Sequence, residues 1–249
     1  MKISQYSEIV KIFQGIPAPL HGMYFNFHHE ESYYLDVDER QLAELVEHIL
    51  VNVKPESISR EISEDSYLRF SGSKALENVL SLRVRQYCHG SNRDLTDLIA
   101  LFNSSPGNED VLVGQYGVSC TDKVLQEISE YLKKFFDASY FFDIKKESTA
   151  LVYKKPSVID GEMVGEYLVV SIDKVLGIDV EGKSYSPVEI FGYDKIVEIE
   201  WNDDTDKDLL EKVRGVLLSY PLFISKSSPK KEKKSVVVDR WIEGLPQNP

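Results

Sequence analysis

The chain has little cysteine and no long hydrophobic run. Two of its 249 residues are cysteines, Cys88 and Cys120, and two thiols are too few for a disulfide framework. No run of about 18 apolar residues is present, so no segment is predicted to span a bilayer. The first eight residues also lack the apolar core of a secretory leader. These absences predict a cytoplasmic protein with reduced cysteines and no membrane segment.

Positive charge is also scarce and unevenly placed. The formal net charge is −12. Residues 1–225 hold 23 basic and 38 acidic side chains, whereas residues 226–249 hold 6 and 3. An acidic body repels phosphate backbones and anionic lipid, which argues against general nucleic-acid binding and against membrane binding. The same charge favours a basic protein partner.

Signatures of the common enzyme classes are missing. The chain has neither the spacing of a nucleotide-binding phosphate loop nor that of a serine-hydrolase nucleophile turn. No known family is recognised from its motifs. Cys120, just before a predicted helix, and Cys88, beside His89, could each act as a nucleophile. Free cysteine is more often packing material, so no catalytic residue is assigned.

Hydrophobic periodicity predicts an α+β fold. A first helix is predicted from Ser4 to Phe13, ended by Gly15 and Pro17, and apolar residues at helical spacing predict four more, near residues 42–53, 95–102, 124–135 and 209–217. Two predicted hairpins place their turns at polar residues, His28 to Glu31 and Lys145 to Ser148. Strand-like patterns are concentrated after residue 167. We therefore expect helices in the first two thirds of the chain to pack on a mostly antiparallel sheet, with a strand-rich later third.

The predicted domain organisation is simple. Residues 1–225 form one α+β globular domain, with a possible sub-boundary at residues 154–165, where proline and glycine are enriched. Residues 226–249 form a basic loop followed by a C-terminal edge strand and tail. The oligomeric state is left open.

Histidines and carboxylates cluster at the first predicted hairpin. Together with His21, the residues His28, His29, Glu30 and Glu31 have suitable chemistry for zinc or iron. Adjacent residues of a strand point to opposite faces, so His28 and His29 cannot share one ion without a bend. The prediction is a solvated polar hairpin tip, with no metal site and no cofactor.

The densest acidic segment follows a predicted strand near Trp201. Its carboxylates could dock a basic partner, and Trp201 could anchor the contact. The opposing interpretation is helix capping and ordinary surface charge. The residues assigned to partner binding are Glu198, Glu200, Trp201, Asp203, Asp204 and Asp206.

Two function classes follow from these observations. The first is a non-enzymatic inhibitory protein, exemplified by immunity proteins that neutralise a toxin by docking through an acidic surface. The second is an enzyme whose site is assembled from scattered residues, with Cys120 or Cys88 as a nucleophile. The absence of catalytic motifs favours the first.

Overall fold

A computed structural model describes residues 22–70, 79–89, 96–103, 112–120, 122–159, 162–221, 227–229 and 234–244. Twelve strands lie in these ranges: β1 Gly22–Leu35, β2 Ser57–Phe70, β3 Val79–His89, β4 Thr96–Asn103, β5 Leu112–Cys120, β6 Ala138–Lys154, β7 Ser157–Ile159, β8 Glu162–Val164, β9 Leu168–Val180, β10 Lys183–Tyr185, β11 Lys195–Trp201 and β12 Ser227–Pro229. Five helices accompany them: α1 Glu39–Asn52, α2 Asp122–Phe136, α3 Pro187–Phe191, α4 Lys207–Ser219 and α5 Lys234–Ile242.

Eight of the strands close on themselves. The order β9-β6-β2-β3-β4-β5-β1 runs through antiparallel pairs. Strand β11 then pairs with both β1 and β9, which completes the ring. A closed ring of eight strands has an interior just wide enough for side chains or one small ligand.

The main hydrophobic core lies outside this ring. Alternate residues of β6, β9 and β11 face outward and are buried beneath α1 and α4. Leu45 and Ile49 of α1 and Val213 and Leu217 of α4 supply the helical side of this core. Helix α1 begins at Asp38, whose carboxylate accepts from the backbone of Gln41 in a capping box. The helices thus cover the apolar face of these strands, and the other face is turned into the ring.

One end of the interior is filled by a second apolar cluster, here called the apolar plug. Interior-facing residues of β2, β6, β9 and β11 pack there with α3 and α5. Its buried members are Tyr67, Phe141, Phe142, Ile144, Val175, Ile178, Val180, Ile190, Tyr193, Ile196, Val237 and Val238. The aromatic rings of Tyr67 and Phe142 stack with centroids 4.5 Å apart. This end of the interior is therefore packed solid.

A β-bulge in β9 lies within the part of the strand that contributes to the apolar plug. Opposite Lys145 and Lys146 of β6, strand β9 carries one extra residue, Leu176, which has no partner in the register. A bulge reverses the alternation of faces along a strand. Asp173 and Ile178, five residues apart, therefore both face the interior.

The predicted α+β fold, with helices in the first two thirds packed on a sheet, is wrong. Five long strands and only two helices of the described residues lie between residues 22 and 136. The helix predicted at residues 95–102 is strand β4, in which Leu98 and Ile99 are both buried. A strand covered on both faces reads as a continuous apolar run, which imitates helical spacing.

Both predicted hairpins are single long strands, β1 and β6, so their polar residues are not turns. The expected C-terminal edge strand is instead helix α5. Helices α1, α2 and α4 and strand β11 lie where the sequence places them, and the helix predicted from Ser4 to Phe13 lies outside the described residues. The division of the chain into domains stays a prediction. Among the described residues, no helix is long and apolar enough to cross a membrane.

Candidate functional site inside the closed sheet

Polar and charged side chains occupy the interior face of β2 and β3. Residues paired across antiparallel strands share a face. Asp65 is paired with Arg85, and Tyr67 with Arg83. Asp65 is 1% exposed. A carboxylate is almost never buried this deeply unless it has a partner. The polarity of this sheet is therefore inverted, with charge inside and the main apolar core outside.

Asp65 is bound by two arginines. Arg85 donates to both of its carboxylate oxygens, with Nε–Oδ1 at 2.6 Å and Nη2–Oδ2 at 2.8 Å. Arg83 Nη1 lies 3.3 Å from Asp65 Oδ2 and also donates to the hydroxyl of Tyr67 at 3.0 Å. The buried Nε of Arg83 has no hydrogen-bond partner among the described residues. One guanidinium thus keeps unused donor capacity.

A third cation comes from the neighbouring wall. Lys146 of β6 forms a buried ion pair with Asp173 of β9. The Oδ1 atom of Asp173 finds no hydrogen-bond partner within the described part of the chain. We call Asp65, Arg83, Arg85, Lys146 and Asp173 the cationic cluster, because three cations there face two carboxylates.

The cationic cluster is strongly coupled. Burial alone would raise the pKa of Asp65, but the adjacent Arg85 and Arg83 hold that pKa well below its usual range. Burial would also lower the pKa of Arg85, yet Asp65 raises it well above its ordinary value. Burial likewise opposes the effect of Arg83 on Tyr67, and the net result is a lowered pKa for this phenol. Asp65, Arg83 and Arg85 are therefore all ionised near neutral pH.

Strands β1 and β11 carry carboxylates on the opposite side of the ring. Ser32 donates to Glu30 at 2.7 Å and lies 3.4 Å from Glu198. Glu200 accepts a hydrogen bond from the hydroxyl of Tyr167 at 2.6 Å, and its Oε2 is 3.9 Å from Nε2 of the buried His28. We call Glu30, Glu198 and Glu200 the carboxylate wall.

The residues predicted to bind a partner do not form one surface. Glu198 and Glu200 face the interior, as just described. Trp201 faces outward, where its ring stacks on His29 with centroids 5.3 Å apart and lies 4.5 Å from the Arg214 guanidinium. Partner binding by these residues, and a basic protein partner in general, stay predictions.

The remaining acidic residues of that set have separate positions. Asp203 is exposed and its Oδ1 lies 2.8 Å from Nε2 of His29. Asp204 is exposed. Asp206 caps α4 by accepting from the backbone of Asp208 and Leu209. Helix capping, the alternative interpretation of the acidic segment, thus describes Asp206.

Neither cysteine belongs to the cationic cluster. Cys88 is a free, exposed thiol three residues after Arg85, on the outer face of β3. Cys120 is the last residue of β5, and its side chain lies outside the described set. In the described ranges, no three histidine, cysteine or carboxylate side chains are arranged to hold a metal ion. The expectation that no metal or cofactor is bound stays a prediction.

Sequence reasoning missed the cationic cluster completely. One signal was available: Leu82-Arg83-Val84-Arg85 alternates apolar and basic residues, so a strand must place both arginines on one face. The pairing of that face with Asp65 depends on register and could not be read from one strand.

Comparison with known protein families gives no match, and comparison with curated proteins also gives none. Several solved structures are similar. A protein from Pyrococcus horikoshii is 14% identical, with a TM-score of 0.48, over 86% of this chain and 98% of that one. A protein from Hippeastrum, named for adenylyl cyclase and described as having a dominant triphosphatase activity, is 12% identical, with a TM-score of 0.48, over 88% and 97%. The Mimivirus capping enzyme triphosphatase is 13% identical, with a TM-score of 0.40, over 88% and 98%.

The prediction of a toxin-neutralising immunity protein is wrong. Glu198 and Glu200, two of the acidic residues assigned to docking, point into the ring, and the six assigned residues do not form one docking surface. The second class, an enzyme whose site is assembled from scattered residues, agrees better with the charged side chains that several strands bring together inside the ring. At these identities and TM-scores, the likeness assigns no activity to this chain.

Proposed function

We propose that the protein is an enzyme that binds a short chain of phosphates inside the closed sheet and hydrolyses its terminal phosphoanhydride bond. The observation that carries this proposal is the cationic cluster, in which Arg83 and Arg85 of β3 and Lys146 of β6 converge on the interior. Within the cationic cluster three cations face two carboxylates, and the interior as a whole also holds Asp97, which is paired with Arg85, and the carboxylate wall.

Phosphate is the anion that this chemistry suits best. Guanidinium groups bind phosphate oxygens through two parallel donors, and a lysine ammonium adds a point charge. The unpaired Nε of Arg83 supplies one donor directly. A buried donor without a partner costs free energy, which a bound anion would recover. A chain of phosphates, unlike one carboxylate, has enough oxygens to reach all three cations.

Phosphoryl transfer also explains why no nucleophile motif is needed. Its catalysis depends mainly on positioning and on electrostatic stabilisation of the transferring group. Side chains from separate strands can provide both. This is the scattered-site enzyme class, with cationic residues in place of Cys120 or Cys88.

The test is binding of tripolyphosphate, measured by titration calorimetry, together with release of inorganic phosphate in the presence and absence of Mg²⁺. Arg83→Gln removes a cation from the interior of β3. Arg60→Gln is the control, because Arg60 is exposed on the outer face of β2.

Arg83→Gln should weaken binding by about tenfold or more, since a hydrogen bond to a charged group contributes about 1.5–3 kcal/mol. Arg60→Gln should bind like the wild type. Equal affinities of the two variants would contradict the location of the site, and binding without phosphate release would contradict the enzymatic part.

A further inference from the structure

His28 is a buried histidine that the cationic cluster does not use. It is 2% exposed and lies on β1. The next residue of the strand, His29, faces the outer surface. Its Nδ1 atom is buried and has no hydrogen-bond partner among the described residues. Buried polar atoms nearly always have a partner, so this nitrogen is available to a ligand or to a water that enters with one.

The other ring nitrogen of His28 points toward a carboxylate that is itself held in place. Nε2 lies 3.9 Å from Glu200 Oε2, and that oxygen accepts from the hydroxyl of Tyr167 at 2.6 Å. The rings of His28 and Tyr167 are 5.9 Å apart. Catalytic hydrogen bonds are often long before substrate binds, and a carboxylate next to one nitrogen of a histidine favours the tautomer in which the other can accept a proton.

We infer that His28 is the general base of the proposed hydrolysis, with Glu200 and Tyr167 as positioning residues. This inference rests on the proposed function. His28 Nδ1 takes a proton from water as the water oxygen forms a bond to the terminal phosphorus. The bridging P–O bond breaks, and its electron pair goes to the oxygen of the shortened chain. The products are inorganic phosphate and a chain one phosphate shorter.

Three titratable groups lie near His28 among the residues that the structure describes. Glu30 lies two residues along β1, Glu200 lies on β11, and Tyr167 precedes β9. Its partner in the β5 register is Val113, which does not titrate. The three cations of the cationic cluster lie on the other strands of the ring.

The adjacent histidines provide a matched pair of variants. His28→Gln and His29→Gln make the same change on opposite faces of one strand. With tripolyphosphate as substrate, His28→Gln should lower kcat by about 100-fold or more, the usual contribution of a general base. It should also remove the acidic limb of the pH–rate profile. His29→Gln should retain both the rate and the limb.

Affinity separates the failure of this inference from the failure of the proposed function. His28→Gln should bind tripolyphosphate as the wild type does. If the wild type neither binds nor hydrolyses tripolyphosphate, both proposals are wrong. If it does both and His28→Gln keeps kcat and the acidic limb, only the role of His28 is wrong.

A second variant covers the case in which His28→Gln fails to fold. Glu200→Gln keeps an acceptor for Tyr167 but removes the charge that stabilises a protonated imidazole, so the acidic limb should move to lower pH. Ionisation of tripolyphosphate is common to every variant and cannot produce this difference. A profile of Glu200→Gln that overlays the wild-type profile would overturn the inference.

Discussion

Replacing Asp65 by asparagine tests two features of the cationic cluster. The cluster is shielded from water, and its two arginines depend on the negative charge of Asp65. The amide keeps one acceptor oxygen but presents an NH₂ group to the two guanidinium groups that now bind the carboxylate. Arg83 and Arg85 would keep their charges, because guanidinium does not lose its proton in proteins. The change therefore leaves two largely buried cations without the carboxylate that they share.

The expected cost follows from that burial. Removing one partner of a buried ion pair destabilises a protein by about 3–5 kcal/mol. For a chain of this size, each kcal/mol lowers the melting temperature by about 2–4 °C, so Asp65→Asn should melt about 6–20 °C below the wild type. Glu64→Gln is the control, since Glu64 is the adjacent residue on the outward side of β2, and it should change stability by less than about 0.5 kcal/mol.

The same variant also makes a prediction about the ligand. Without Asp65, the two arginines are free to bind phosphate oxygens, so tripolyphosphate should bind the variant more tightly than the wild type. Any ligand at about 100 times its Kd adds about 2.7 kcal/mol of stability. At one fixed tripolyphosphate concentration, the melting temperature of Asp65→Asn should therefore rise more than that of the wild type.

Thermal melting followed by circular dichroism, with and without tripolyphosphate, measures both effects. A loss of less than about 1 kcal/mol for Asp65→Asn would refute the argument, because it would mean that water already screens Asp65 and the arginines. A large loss of stability that tripolyphosphate does not reduce would support the buried ion pair but would count against phosphate as the ligand.

Two further predictions concern Asp65 and Trp201. The pKa of Asp65 is depressed in the folded state by the arginines, so its contribution to stability is complete above the unfolded pKa of about 3.9 and is lost as the pH falls toward the folded value. The free energy of unfolding of the wild type, measured in urea, should therefore fall below about pH 4, and that of Asp65→Asn should fall less. If the two free energies fell in parallel with pH, the prediction would be wrong. Trp201→Ala should lower the unfolding free energy by about 2–3 kcal/mol through lost packing against Arg214 and His29. A change below about 0.5 kcal/mol would show that Trp201 is not packed there.

The helices were predictable because their physics is local. Helix α1 has a capping residue at Asp38 and a stripe of Leu45 and Ile49 that packs against the sheet. Helix α4 shows the same pattern. Strand β11 was equally clear, since Val197 and Ile199 alternate with polar residues. In each case the apolar face alone identifies the element, whichever surface it packs against.

The long strands were not predictable, because the usual meaning of polarity is reversed inside the ring. His28 to Glu31 and Lys145 to Ser148 look like turns, yet each stretch lies in the middle of a long strand. His28 and Lys146, one from each stretch, are buried. A rule that places charge at the surface must fail there. The positions where the sequence contradicts the expected fold are the positions of the candidate site.

Ring closure is the other property that one strand cannot reveal. Arg85 reaches Asp65 because β2 and β3 are in register, and Glu200 comes near His28 because β11 returns to β1 more than 160 residues later. These pairings are set by long-range contacts. A single sequence contains the residues of such a site without the information that brings them together.

The extra residue in β9 has a consequence for how this protein tolerates mutation. Leu176 is the extra residue that shifts the alternation of faces between two stretches of β9. Asp173 belongs to the stretch that meets Lys146, and Ile178 belongs to the stretch that contributes to the apolar plug. Deleting Leu176 would rotate one stretch by half a turn relative to the other, exposing either the carboxylate or the isoleucine on the wrong face. Substitution at this partly exposed position leaves the alternation of faces unchanged. A deletion and a substitution of Leu176 should therefore have very different effects on stability. The two stretches can accordingly change their chemistry independently, while the bulge keeps both Asp173 and Ile178 on the interior face.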